Sequence, residues 1–377
     1  MTATSARQDA PAKRTVVLLF GGRSSEHGIS CVTAAGVLRA IDRAKFDVIP
    51  VGITKQGATV LMREADLAEY RLDADALPEV ADNGTRVLWP ASTATRELSV
   101  IEEGGVLRGL GRADAVLPML HGPYGEDGTV QGMLDLIDLP YVGSGVLGSA
   151  LCMDKHAVKT VLADAGIAVA PWNTVTRSQL DADPSLASRL DAGLQYPLFV
   201  KPARAGSSVG VTKVTAAAEL PEALDIAFAE DRTVLVESGV IGREVEIAVL
   251  EGRGDARPRT SSVIGEIVIS GGGFYDFASK YLDGSGVRLD LPAEVTADEF
   301  AALQRDAVLA FEIAQCAGLA RVDFFLTDDG PVLNEINTLP GFTPISMYPR
   351  LWEASGMSYT DLITELVELA VERRPAY

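Results

Sequence analysis

The sequence predicts a mixed α/β protein: a doubly wound parallel unit at the start, followed by antiparallel sheet. Three observations carry this. Thr15-Val-Val-Leu-Leu-Phe20 is an unbroken apolar run, Gly21-Gly22 turns it into a helical pattern from about Ser30 to Ile41, and Phe46–Ile53 is a second apolar strand. That strand–helix–strand rhythm is the building unit of a parallel sheet. Later, Val234–Glu237, Val245–Leu250 and Ser262–Val268 follow one another as strand-like runs and read as neighbours in one antiparallel sheet. A chain of 377 residues allows two or three such units.

Taken in order, residues 1–14 are polar, with Arg7, Lys13 and Arg14 but no apolar stretch, and are expected to be a disordered leader, not a signal peptide. Residues 60–112 are irregular and acidic, an elaboration of the first domain. Ala115–Leu120 returns to strand and Tyr141–Gly145 adds a short element, so that domain is expected to span 15–150. A helix over Asp154–Ala165 stops at Gly166 in the C-cap region. Strands at 196–200 and 209–214 and a helix near 220–230 complete a central unit, 151–236. The last unit, 237–377, holds a long helix at 297–317, a hairpin at 320–337 and a terminal helix at 359–373.

Composition narrows the function. With 47% hydrophobic and 23% charged residues the chain is ordinary for a soluble globular protein. A net charge of -19 argues against a nucleic-acid partner. It leaves room for an anionic small ligand, because a few lysines reverse the field inside a cleft. No apolar run approaches the roughly 18 residues of a membrane span. Cys31, Cys152 and Cys316 are widely spaced and form no C-x-x-C pair, which points to reduced thiols and a cytoplasmic setting.

Several stretches carry chemistry. In KPARAGSSVG, 201–210, a lysine ends an apolar strand and a glycine–serine loop follows, the reverse of a P-loop's order. It reads as a phosphate site of another design or as a flexible hairpin. In Arg321–Asn337 a two-residue Asp329-Gly330 turn would put Asp323 and Glu335 on opposite faces. A three-residue loop, Asp328-Asp329-Gly330, pairs Asp323 with Glu335 and Arg321 with Asn337, and leaves Val322, Phe324 and Ile336 on the apolar face. Two carboxylates and an amide beside an arginine suit Mg2+, which keeps water and phosphate oxygens as further ligands. The competing account is a polar solvent face with a surface ion pair.

Glu237–Glu244 links two strands and reads as a nucleotide hinge or as a loop with two solvated acids. Phe274–Tyr281 is an aromatic loop whose Lys280 could reach phosphate, or whose rings simply pack. His121–Gly128 and Gly21–Glu26 each follow a strand's carboxyl end, where open α/β sheets place ligands. Glu26 could bind an ammonium group or favour the next helix N-terminus. Lys155, at a helix start, is poorly placed for a cation unless an anion binds beside it.

Together these stretches resemble the D-alanine–D-alanine ligases of the ATP-grasp superfamily. The matches are GGRSSEHGIS (21–30), HGPYGEDGTVQGMLD (121–135), YVGSG with MDK (141–155), KPARAGSSVG, the 237–244 hinge, FYDFASKY (274–281), RVDFFL (321–326) and NEINTLPGFTPIS (334–346). The resemblance spans nearly all of 15–375 and is weakest over 60–112. It implies a three-domain ATP-grasp fold with a Rossmann-like N-terminal domain. It also implies ATP, two Mg2+ ions with Mn2+ able to substitute, a homodimer, and two D-alanines joined through D-alanyl phosphate for peptidoglycan precursors.

By the same resemblance Lys155 and Lys201 hold phosphates, and Ser207 and Ser208 belong to the lid over them. Glu237, Ser238, Gly239 and Val240 form the adenine hinge and Glu244 the ribose ligand. Asp323, Glu335 and Asn337 are implied metal ligands, with Arg321 and Gly341 stabilising the intermediate. Glu26 and His121 are implied at the first substrate, with Ser207 and Tyr281 bonded to Glu26, and Lys280 and Ser346 at the second. Ser238-Gly239 stands where bulkier hinge residues are common. The Lys280–Tyr281 pair favours an amine over D-lactate as second nucleophile, although another D-amino acid fits the same pattern. Intact Lys201, Lys280, Arg321, Asp323 and Glu335 argue against a non-catalytic ATP-binding regulator.

Overall fold

A computed structural model describes residues 12–73, 76–269 and 287–373. Strand β1 (Arg14–Gly21) leads through α1 (His27–Ala40) to β2 (Phe46–Ile53), and β1 pairs in parallel with β2. After β3 (Thr59–Leu61) and α2 (Glu64–Ala68), the stretch of 60–112 forms a small antiparallel sheet of β4 (Arg86–Leu88), β5 (Glu97–Ile101) and β6 (Leu107–Arg112). Strand β7 (Ala115–Met119) closes the first sheet in the order β3-β2-β1-β7, parallel to β1. Tyr141 forms only an isolated bridge to Val116. Helix α1 is buried over most of its length between this sheet and the C-terminal helix, so it shows little amphipathic pattern.

Helices α3 (Thr129–Leu136), α4 (Val146–Met153) and α5 (Lys155–Asp164) lead to the second sheet. Asp154 caps α5, accepting from His156 N and Ala157 N at 3.1 and 3.0 Å. Strand β8 (Trp172–Thr176), α6 (Arg177–Ala182), β9 (Leu198–Pro202), β10 (Thr212–Val214), α7 (Leu220–Glu230) and β11 (Thr233–Ser238) build an antiparallel sheet in the order β10-β9-β11-β8. The third sheet holds β12 (Arg243–Leu250), β13 (Arg259–Thr260), β14 (Gly265–Ile269), β15 (Val287–Asp290), β16 (Leu319–Thr327) and β17 (Gly330–Asn337), backed by α8 (Ala297–Ile313). Helices α9 (Met347–Ala354) and α10 (Tyr359–Glu372) return to pack on the first sheet's core.

Two sequence expectations change. Val234–Glu237 does not share a sheet with Val245–Leu250: β11 pairs with β8 and β9, and the chain crosses between sheets over 239–242. Gly239 N donates to Pro197 O at 2.8 Å, and a Cβ on Gly239 would lie 2.8 Å from that oxygen, so the crossing hugs the second sheet. The 320–337 hairpin has the expected pairs, Arg321 with Asn337 and Asp323 with Glu335, but by another route. Thr327 pairs with Gly330 across Asp328-Asp329, and a bulge leaves Asn334 without a partner strand residue. The bulge restores Leu333 and Ile336 to the apolar face with Val322 and Phe324.

Candidate active site

Loops at the carboxyl ends of β1 and β7 meet where Ser24 Oγ donates to His121 O at 2.6 Å. Glu26 stands at the α1 N-terminus but makes no side-chain cap. Its Oε1 instead accepts from Ser207 Oγ at 2.7 Å, so the 206–210 loop touches the first sheet's loops. Ser207 and Ser208 hold left-handed backbone with φ of 50° and 59°. His27 Nδ1 contacts Gly22 O at 2.6 Å and its Nε2 accepts from Val80 N at 2.9 Å, which fixes an Nδ1–H tautomer and the Gly21-Gly22 turn.

The 206–210 loop follows β9. Lys201, next to last in that strand, shares a sheet face with Glu237 on β11, and Nζ donates to Glu237 Oε1 at 2.7 Å. Glu237 is buried, which would raise its pKa, but the Lys201 and Lys159 ammoniums hold it below the usual carboxylate range. Lys155 N donates to Ala203 O and its Nζ to Ala205 O at 2.6 Å, docking the start of α5 on that loop's root. At the end of β11, Ser238 Oγ accepts from Gln195 N at 3.0 Å.

On the third sheet Arg321 donates from Nε and Nη2 to the two oxygens of Asp323 at 2.8 and 2.7 Å, and its Nη2 lies 3.3 Å from Glu246 Oε1. Burial opposes this guanidinium's charge, yet Asp323 and Glu246 hold its pKa well above the ordinary value. Asn337 Nδ2 donates to Asp323 Oδ2 at 3.0 Å and to Glu335 Oε1 at 3.4 Å. Ser346 Oγ accepts from Thr343 N at 3.1 Å, and a Cβ on Gly341 would come 3.2 Å from that Oγ.

These groups line two adjoining cavities. One, about 270 Å3, contains Lys155, Lys201, Ser208, Glu237 through Val240, Glu244, Asp323 and Glu335. The other, about 540 Å3, contains Glu26, His121, Glu126, Asn337, Gly341 and Ser346. Lys155, Ser207, Glu246, Arg321 and Glu335 border both. The first thus gathers lysines and carboxylates, and the second a carboxylate, a histidine and an arginine.

Burial shapes the second cavity's protonation. It pushes His121 below the ordinary imidazole value against the pull of Glu26, and His121 Nε2 has no hydrogen-bond partner among the described residues. Burial, reinforced by the Glu26 charge, raises Glu126 well above the usual carboxylate range although Gly122 N donates to it at 2.8 Å.

Among the described residues no three His, Cys, Asp or Glu side chains cluster as a metal site. Two cross-strand carboxylates with an amide still fit Mg2+, whose remaining ligands are phosphate and water. A cation held there would compete with Arg321 for Asp323. Lys280 and Tyr281 lie outside the described residues.

Sequence reasoning missed Lys159, Glu246 and Glu126. Lys159 is one helical turn from Lys155, and Glu246 lies two residues from Glu244, on the same strand face and opposite Asp323; both periodicities were available. No pattern separated Glu126 from neighbouring Asp127.

Known proteins resemble the chain over nearly its whole length. Residues 15–144 match the family model described as D-ala D-ala ligase N-terminus, and 161–368 match D-ala D-ala ligase C-terminus. A D-alanine–D-alanine ligase of Pseudarthrobacter chlorophenolicus is 48% identical, covering 98% of this chain and 97% of that protein. One from a Mycobacterium species (strain KMS) is 50% identical over 95% and 96%. Among solved structures, the VanG D-Ala:D-Ser ligase of Enterococcus faecalis has TM-score 0.80 at 35% identity, covering 95% of this chain and 100% of that one. The D-alanine–D-alanine ligase of Coxiella burnetii has TM-score 0.77 at 34%, covering 96% and 94%. No described helix is long and apolar enough to cross a membrane.

Proposed function

The chain belongs to the D-alanine–D-alanine ligase family, and we propose on that premise that it joins two D-alanines at the expense of ATP. The observation that carries this reading is the pair of adjoining cavities, one lysine-lined and one built for a zwitterion, meeting at Arg321, Lys155, Ser207 and Glu335. The carboxylate of the first D-alanine attacks the γ-phosphate, giving D-alanyl phosphate and ADP. The amine of the second attacks the acyl carbon, and the tetrahedral intermediate expels phosphate. Negative charge grows first on phosphoryl oxygens and then on the intermediate, so fixed cations and N–H groups supply the catalysis.

In this reading Glu26 receives the first ammonium, with neutral His121 beside it. Lys155 and Lys201 hold phosphates under the Ser207-Ser208 lid. The backbone of Glu237 to Val240 reads adenine while Glu244 takes ribose hydroxyls. Arg321 and Gly341 N–H meet the intermediate's oxyanion, and Ser346 with Lys280 receives the second carboxylate. Tyr281 is assigned by the family resemblance alone as a further partner of Glu26. Asp323, Glu335 and Asn337 would hold Mg2+, two ions in all with Mn2+ able to replace them, which screens the phosphates. The lid contact to Glu26 keeps water from the acyl phosphate. The enzyme acts as a cytoplasmic homodimer serving peptidoglycan precursor synthesis.

The test incubates the purified protein with ATP, Mg2+ and D-alanine, alone or with D-serine or D-lactate added as competing acceptor, and follows ADP release and product mass. D-alanine-dependent ADP release with D-Ala-D-Ala as main product is expected. D-alanyl-D-lactate from the D-lactate mixture, with no D-Ala-D-Ala formed from D-alanine alone at neutral pH, would sink the assignment.

A further inference from the structure

Lys159 lies outside every role above, yet it is among the most enclosed charges in the protein. Its side chain is 3% exposed, as is that of Glu237, whose Oε2 it meets at 2.8 Å. An ammonium taken this far from water needs a counter-charge. That counter-charge is already engaged, because Lys201 holds the other oxygen at 2.7 Å and is itself 15% exposed on the cavity side. One carboxylate therefore serves two lysines.

The charge count gives the consequence. Lys201 and Glu237 alone form a neutral pair with little attraction for phosphate. With Lys159 on Oε2 the trio carries a net positive charge, and the outermost member is Lys201. We propose that Lys159 is a positioning residue for nucleotide binding: it takes up half of Glu237, so that Lys201 keeps a positive field toward the phosphates. This rests on the nucleotide reading of that cavity. Lys159 also sits 3.4 Å from Ala170 O and over the Trp172 ring at 5.5 Å. Those contacts supply the rival account, a lysine that merely pins α5 to the chain before β8.

The two accounts part in a double mutant. ADP affinity is measured by calorimetry on the full chain with Mg2+ for the parent, Lys159→Met, Glu237→Gln and the pair. Removing Lys159 should weaken ADP about tenfold and raise KM for ATP similarly, as expected for the loss of one charge-assisted interaction. At saturating ATP, kcat and the KM for D-alanine should stay within about twofold of the parent in this account. Adding Glu237→Gln to Lys159→Met leaves Lys201 as a lone cation, so the double variant should regain affinity. A pinning role predicts the opposite, a double variant weaker than either single one.

Lys159→Arg should bind ADP like the parent, and Lys159→Gln repeats the comparison if the methionine variant fails to fold. ADP binding by Lys159→Met (or Gln) within twofold of the parent, or no recovery in the double variant, overturns the inference while leaving the ligase assignment intact. A parent protein that binds no ADP overturns the nucleotide reading itself, and this inference with it.

Discussion

Replacing Ser207 by alanine removes one hydroxyl and leaves the lid's backbone where it is. The lost interaction is the 2.7 Å hydrogen bond to Glu26 Oε1, half-buried between the lid and the α1 N-terminus. A hydrogen bond to a charged group contributes about 1.5–3 kcal/mol, and partial exposure argues for the lower half of that range. At ~2 kcal/mol the loss in kcat/KM for D-alanine is about 30-fold. Ser207→Gly separates the bond from the backbone, because φ of 50° is a left-handed conformation that glycine adopts without cost. The glycine variant loses the same bond and should be no more active than alanine. ADP release and dipeptide are quantified together, and both variants should leak ADP beyond dipeptide as water reaches the acyl phosphate. An alanine variant within twofold of the parent would refute the lid contact's role. Activity restored by glycine would show that backbone strain, not the bond, was limiting.

Glu335→Gln removes one of the two paired carboxylates and should move the Mg2+ midpoint of ATP turnover upward by at least about tenfold, the lower size seen even for outer-sphere losses. An unchanged midpoint in a magnesium titration would place the cation elsewhere. Glu126→Gln tests the buried acid through stability. Its folded pKa lies well above the unfolded value of about 4.3, so the unfolded chain releases this proton first. The parent then loses stability as pH rises from there toward the folded pKa. The glutamine variant cannot ionise, so its gain in Tm over the parent in magnesium-free buffer should be larger at pH 8 than at pH 5. A gain independent of pH would mean that Glu126 is not held protonated.

Much of the fold was legible because it is written in short-range pattern. Apolar runs located β1, β2, β7 and β12, and Gly166, with φ of +83°, ends the α5 region as its composition implied. The hairpin shows where that legibility stops. Its site register came out as expected, but through a bulge at Asn334 that turn rules alone do not reveal, because the bulge answers to Leu333 and Ile336 seeking the core. The assignment of β11 to the second sheet was hidden for a similar reason, since a strand's own alternation does not say which partner it meets.

For the site the division runs along charge. Residue types and spacing alone determined that lysines, acids and glycine-rich loops were present, each open to a structural reading as well, and the family resemblance supplied the nucleotide and the amino acid. Tertiary structure decided how they are paired: Glu26 to the lid instead of its own helix, Asp323 to Arg321, and Glu237 between two lysines. Periodicity is set within a few residues of the chain, whereas a buried charge is stabilised by whichever opposite charge the fold brings within about 3–4 Å, and that partner can lie anywhere in the sequence.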